Sequence, residues 1–393
     1  MTATGPLADV RVLDCTQMLA GPFATQALAD LGAEVIKVER PGVGDITRSV
    51  DPEIGESGLT AYFAALNRGK RSVELDLGSE TGAAAFDRLA ETTDVVVENY
   101  RPGTMAKFGL GPDTLLERHP DLIYCSISGF LEGPYRDLAA FDMVAQALSG
   151  SMSVTGEADG PPVRPGIPIG DISAGMYAVA AVSAALYSRD RLGGQHIEVP
   201  MFEGLVSWLT ERAGRTFVTG DPYPRLGTVH PSLAPYRAFE TADGWLAVAV
   251  ASQGTWTSFC AAIDRPDLTE DPRFATNADR VENREALADL VAPILAEGTA
   301  DEWFERFRAA DVPAAPVRDT VEVFEDPQIR DGPVTSDLTI DGVDLPFVEL
   351  PVVFSGSRTG AERPPPPLGE HTESVLESVL SAADLAAVLD ANG

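Results

Sequence analysis

Apolar and polar positions along the chain fall into short runs of changing period, and these runs predict its elements. Residues 10–16, Val-Arg-Val-Leu-Asp-Cys-Thr, read as a buried strand. Gly21-Pro22 opens a helix to about Leu31, with Pro22 suited to the first turn. Gly32 ends that helix, and residues 34–39 alternate apolar and polar as a second strand. Strand, helix and strand within ~30 residues make a βαβ unit, which requires a parallel pair. The pattern recurs as strand 72–77, helix 80–91, strand 94–98 and strand 122–128. The predicted fold class is α/β, a Rossmann-like, doubly wound parallel sheet covered by helices.

Residues 171–191 form a second strong helical pattern with small residues on several faces, so this helix is expected to be buried all round. Gly193-Gly194 stops it, and a strand at 196–200 and a helix at 201–212 follow. The character then changes. Residues 215–234 are rich in Gly, Pro and Tyr and read as a linker. Residues 236–250 carry a hairpin signal with Asp243-Gly244 at its turn. Helical patterns at 255–263, 283–296 and 300–310, with an extended exit at 312–317, complete a small α+β domain over 235–323. The tail shows an extended stretch at 347–354, a polyproline spacer at 364–367 and a helix at 373–390. Residues 1–214 and 324–393 are assigned to the large domain. No period of 20–50 residues repeats, which argues against a solenoid.

Composition narrows the function classes. The 393 residues suit two or three domains. No run of ~18 uninterrupted apolar residues occurs, so no membrane span is expected, and the start Met-Thr-Ala-Thr-Gly-Pro lacks a leader pattern. Cys15, Cys125 and Cys260 are far apart, which points to a reducing cytoplasm and no metal site. With 29 basic against 60 acidic residues and a net charge of −31, nucleic acid is not an expected partner. Against that acidity the local basic clusters stand out: Lys37 to Arg40, Arg68 to Arg71, and Arg101 with Lys107.

The chemistry candidates are few. Ala20-Gly21-Pro22 replaces the Gly-x-Gly-x-x-Gly of a dinucleotide site, and no Gly-x-Ser-x-Gly elbow supports a hydrolase triad. His119, His196 and His371 read as surface or structural residues, whereas His230 lies in a glycine- and proline-rich region that could line a pocket. Asp171 ends the run Arg-Pro-Gly-Ile-Pro-Ile-Gly-Asp and starts the second strong helix. There it can serve as an N-cap. It can equally be a nucleophile whose adducts are stabilised by free N–H groups and the helix dipole.

Several segments together carry a family likeness. They are Leu-Ala-Gly-Pro-Phe-Ala-Thr (19–25), Ala-Asp-Leu-Gly-Ala-Glu-Val-Ile-Lys-Val-Glu-Arg-Pro (29–41), Asn-Arg-Gly-Lys-Arg-Ser (67–72) and Glu-Asn-Tyr-Arg-Pro-Gly (98–103). Ser-Ile-Ser-Gly-Phe (126–130), the stretch from Phe141-Asp142 to Asp171, and His-Pro-Ser-Leu-Ala-Pro-Tyr-Arg-Ala-Phe with Asp-Gly-Trp (230–245) complete the set. In order and spacing the chain resembles the class III CoA-transferases of the formyl-CoA transferase/carnitine dehydratase (CaiB/BaiF) type. The resemblance implies that Asp171 is the nucleophile and that Arg40 lies beside the CoA adenine. It further implies that Lys70, Asn99, Arg101 and Lys107 contact the CoA nucleotide and phosphates, and that Asp142 is an acidic active-site residue. The local cations suit such a polyanion.

Two departures refine the expectation. Related α-methylacyl-CoA racemases carry a histidine where this chain has Phe141, which cannot transfer a proton. Formyl-CoA:oxalate transferases carry a glutamine close before Ala-Gly-Pro, where this chain has Leu19, and a tetraglycine loop that is absent between Gly204 and Gly244. A larger, partly apolar acid fits better beside Leu19 than oxalate does. The resemblance thus implies transfer of CoA from an acyl-CoA donor to a carboxylic acid acceptor, with no permanently bound cofactor and no metal. Succinyl-CoA as donor rests on family frequency alone. The implied assembly is an interlocked homodimer. The alternatives are an acyl-CoA racemase or lyase on the same scaffold, or a non-catalytic CoA-binding protein.

Overall fold

The computed structural model describes residues 5–360 and 363–392; residues 1–4, at the start read above for a leader, lie outside it. The chain divides into two compact units. One holds the residues up to Ser151, Arg164–Gly214 and the residues from Gln328 onward; the other holds Met152–Val163 and Arg215–Pro327.

The first unit is built on six parallel strands: β1 (Arg11–Cys15), β2 (Glu34–Glu39), β3 (Arg71–Glu74), β4 (Val95–Glu98), β5 (Ile123–Ser128) and β6 (Gln195–Pro200). Their order is β3-β2-β1-β4-β5-β6, so the direction of winding reverses between β1 and β4. Successive side chains of a strand point to opposite faces, and both faces of this sheet are apolar. On one face Val12, Val35, Val95 and Ile123 pack with α1 (Ala20–Asp30) and with the long helix Ile169–Leu192. On the other, Leu13, Ile36, Val96 and Tyr124 pack with Phe86 and Leu89 of helix Glu80–Ala90 and with Val375, Leu376, Leu385 and Val388 from the chain's end. Both ends of the chain therefore share one core. Backbone hydrogen bonds from Gly360 to Asp30 (2.8 Å) and from His371 to Ser72 (2.9 Å) hold the tail along the first strands.

The long helix departs from its expected burial. One stripe, including Ala174, Gly175, Ala178 and Val182, is buried. Met176, Tyr177, Tyr187 and Leu192 are exposed, Tyr187 by 91%. Gly175 permits a close crossing with α1, since a Cβ there would lie 2.7 Å from Phe23 and 2.9 Å from the Ala20 carbonyl. By length and composition this helix could cross a membrane, although part of it is packed into the core.

Other elements differ in extent. The helix expected over 201–212 stops at Ser207, and a second one runs Thr210–Thr219, with Thr210 left-handed at φ 38° between them. The boundary between the two units in the sequence falls inside that second helix, so the stretch read as a linker begins as helix. The C-terminal helix is two pieces, Thr372–Leu376 and Ala382–Asn392. Residues 335–348, of which only the end was expected to be extended, form an antiparallel hairpin turning at Asp341-Gly342. Its Ile340 and Phe347 bury against Leu59 and Phe63.

In the second unit, strands Tyr236–Glu240 and Trp245–Ala249 pair around the Asp243-Gly244 turn, and Ala314–Pro316 adds a third antiparallel strand. Trp256, Phe259, Leu287, Val291 and Phe307 from its helices fill the core beneath.

Candidate active site

In open parallel α/β sheets, ligands bind beyond the carboxyl ends of the strands where the winding reverses. Here that crevice is a cavity of about 310 Å³. Gln17 and Met18 after β1, Asn99 to Pro102 after β4, and Ile127 to Gly129 at the end of β5 line it. Asp171 and Phe141 face it from the helical side.

The β1 loop is held from below by buried charge. Asp14 ends the strand's apolar run, and its Oδ1 accepts from the Thr16 amide (2.9 Å) and hydroxyl (2.5 Å). Its Oδ2 accepts from Thr25 Oγ1 (2.7 Å) and Lys70 Nζ (2.9 Å). Burial alone would raise the Asp14 pKa; Lys37, Lys70 and the two threonines outweigh it and hold the carboxyl far below its usual value. Lys37 Nζ donates to the Thr16 carbonyl (2.8 Å) and pairs with Asp45 (3.0 Å). Above this base, Asn99 clamps Gln17 in both directions, accepting from its amide and donating to its carbonyl, each at 2.8 Å. Between these anchors Met18 adopts a left-handed backbone at φ 67°, a conformation that costs a non-glycine residue of order 1 kcal/mol and collects at functional sites. Gly21 has to be glycine here, because a Cβ would sit 2.3 Å from the Thr16 side chain.

Asp171 occupies the first turn of helix Ile169–Leu192, which we label α2. It is not the cap. Pro168 precedes the helix and offers no side-chain acceptor, so the first-turn N–H groups need another partner. Asp142 supplies it from 28 residues upstream: its Oδ1 accepts from the Gly170 amide at 2.8 Å. Its Oδ2 accepts from Gln146 Nε2 (2.7 Å) and from Arg164 Nε (3.0 Å) and Nη2 (2.9 Å). The Asp171 carboxylate is left without a hydrogen bond among the described residues, mostly buried and facing the cavity. Burial pushes its pKa up to about 7; the neighbouring negative charge of Asp142 adds to the rise and Arg164 opposes it. Near neutrality such a group exchanges between a protonated form and a poorly solvated ionised form.

The remaining candidates divide sharply. Phe141 is 66% exposed and lines the cavity beside Asp171, as does Arg101. Asn99 also lines it, with its amide committed to Gln17. Asp142 acts from behind, as the clamp on the helix start. Leu19 precedes α1 and is outside the cavity lining. Arg40 follows β2 and Lys107 ends the short helix Thr104–Lys107; both are exposed and, like Arg101, form no ion pair among the described residues. His230 belongs to the second unit, where its ring stacks on Tyr236 (4.9 Å) and its Nδ1 accepts from the Ser232 amide (3.1 Å).

Lys70 requires a correction. Its ammonium is fully buried and surrounded by Asp14, the Pro22 carbonyl, Thr25 and Asn67, all within 3.1 Å, so no donor is free for a phosphate. Lys37 and Arg68, counted among the local basic clusters, are likewise spent on Asp45 and Asp30. The clusters are thus partly core ion pairs. Sequence reasoning missed Gln17, Met18, Arg136 and Arg164. Only Arg164, seven residues before Asp171 in the same proline-broken run, lay in a segment already singled out. No group of three or more His, Cys, Asp or Glu that could hold a metal occurs among the described residues.

Comparison with known proteins gives the family. The model of CoA-transferase family III matches residues 7–372, and the chain belongs to that family. The succinate–glutarate CoA-transferase of Agrobacterium fabrum is 39% identical over 379 residues, covering 94% of this chain and 95% of its own. The succinyl-CoA:mesaconate CoA-transferase of Haloarcula hispanica is 40% identical over 388 residues, covering 95% and 96%. A CaiB/BaiF family protein from Brucella suis superimposes with a TM-score of 0.89 at 36% identity, covering 96% of this chain and all of its own. The protein is accordingly an enzyme, a CoA-transferase.

Proposed function

We propose that the enzyme moves CoA from an acyl-CoA donor to a free carboxylic acid through covalent adducts on Asp171. The supporting observation is a single one: a carboxylate in a first helical turn, facing the switch-point cavity, with no hydrogen bond to restrain it and a pKa near 7. In the first step an Asp171 oxygen attacks the thioester carbonyl, the C–S bond breaks, and a mixed anhydride and CoA thiolate result. The thiolate attacks the aspartyl carbonyl, which releases the donor acid and leaves an aspartyl-CoA thioester. The acceptor carboxylate displaces CoA from that thioester to give a second anhydride. The thiolate then takes the acceptor acyl group and regenerates Asp171. Energy at the thioester level is retained throughout.

Arg40, Arg101 and Lys107, exposed and without ion pairs among the described residues, suit the CoA nucleotide, Arg40 beside the adenine and the others at its phosphates. Succinyl-CoA is the proposed donor, in keeping with the name of the Haloarcula relative. An exposed phenylalanine, rather than a base, at position 141 supports transfer over racemisation. A homodimer is part of the same proposal, supported by Tyr187, Phe217 and Val218, which are 91%, 85% and 87% exposed. Sedimentation at assay concentration should give twice the 41.6 kDa chain mass, and a monomer would remove that part.

The mechanism is tested by incubating the enzyme with donor, quenching with hydroxylamine and mapping the hydroxamate by mass spectrometry. The adduct is expected on Asp171 and absent in Asp171→Ala. A transferase that turns over without any adduct, or an active Asp171→Ala, would overturn it.

A further inference from the structure

We propose that Arg136 holds the far carboxylate of a dicarboxylic acid whose near carboxylate reacts at Asp171, an inference that rests on the function proposed above. Among the described residues, Asp171 is the only acid in the cavity lining, and Arg101 and Arg136 are its only cations. Much of the remaining wall is apolar, with Met18, Ala20, Ile127, Leu138 and Met201. A ligand that reacts at Asp171 and also engages a cation here has a short hydrocarbon body and an anionic far end.

The dimensions agree. The cavity, about 310 Å³ in volume, has room for a diacid with two or three intervening carbons, whose carboxyl carbons lie about 4–5 Å apart. A monocarboxylate would leave the cation without an anionic partner.

Arg136 is better suited to this than Arg101. Arg101 is exposed at the rim, where solvent screens its charge. Arg136 has a side chain only 25% exposed. One of its nitrogens, Nη1, is fixed by Glu198 Oε1 (2.7 Å) and the Phe130 carbonyl (3.3 Å). Nε and Nη2 make no hydrogen bond or ion pair among the described residues, although the Glu98 carboxylate also acts on the guanidinium through space. The guanidinium is therefore held in place while part of its planar fork remains unpaired, the arrangement that recognises a carboxylate. Pre-fixing also reduces the ordering cost of binding.

The test compares kcat/KM for glutarate with that for butyrate as acceptors, in wild type, Arg136→Gln and Glu198→Gln. The diacid-to-monoacid ratio should fall by at least about thirtyfold in Arg136→Gln, the loss expected for a half-buried charged hydrogen bond. In Glu198→Gln, which breaks the ion pair but keeps the guanidinium, the ratio should hold or rise. An unchanged ratio in Arg136→Gln, or an equal fall in both variants, would overturn the proposal. Hydroxamate trapping on Asp171 in the same Arg136→Gln protein separates the two readings: an adduct with an unchanged ratio sinks only the role of Arg136. A wild type that transfers CoA without any adduct sinks the aspartyl mechanism instead.

Discussion

Asp171→Asn should make the enzyme more stable in alkaline buffer and leave it nearly as stable as wild type in acid. The Asp171 pKa lies near 7 in the native protein against an ordinary 3.8, and burial is the main cause. The native state thus binds the extra proton between those two values. Stability contributed by the protonated group is present at low pH and is lost as pH rises through the window toward 7. Above it, the ionised carboxylate is held in a poorly solvated place. The difference of 7 − 3.8 = 3.2 in pKa corresponds to about 4 kcal/mol at ~1.36 kcal/mol per unit. Because the side chain is partly exposed, screening reduces the expected penalty to on the order of 2 kcal/mol. Asparagine has the same shape and carries no charge, so it removes the penalty. Thermal unfolding at pH 8.5 should give a Tm roughly 2–5 °C higher for Asp171→Asn than for wild type. That gap should shrink steadily as pH falls from 7 to 4. A gap independent of pH, or a less stable variant at pH 8.5, would show that the carboxylate is well solvated or paired, and the argument from burial would fail.

Two further perturbations probe the surroundings. Asp142→Asn removes a negative neighbour of Asp171, and Arg164→Gln removes the opposing positive one. The pH midpoint of adduct formation in single turnover should move down in the first variant and up in the second, each by on the order of half a unit to one unit. Shifts in the same direction would contradict the assigned electrostatics. Lys70→Met should cost about 3–5 kcal/mol in denaturant unfolding, because it strands Asp14 as an uncompensated buried charge. A variant with unchanged stability but weakened CoA affinity would restore Lys70 to the cofactor.

The sheet was legible because each of its strands is bracketed by turn residues and covered on both faces, as in Val12 and Leu13 of β1. The alternation of strand and helix signals then leaves little choice of topology. Asp171 was legible by its place in a distinctive run, and the wrong part of that reading was local. Asparagine, serine and aspartate so often cap helices that the sequence suggests Asp171 caps its own, whereas the acceptor comes from Asp142. Burial of charge is also invisible along the chain. Lys70 and Arg101 look alike as letters, yet one lies beneath Asp14 and the other at the mouth of a cavity. The Asp341-Gly342 hairpin carries the same turn signal as Asp243-Gly244 and was within reach of the same rule. The break after Ser207 has no comparable marker.

The bond from Arg164 to Asp142 joins the two points between which the chain makes its excursion, residues 152–163, into the other unit. Closing that detour near its root ties Arg164 and Asp142 to the start of the Asp171 helix within one unit. An engineer who rewrites residues 152–163 should therefore leave the Asp171 carboxylate where it stands.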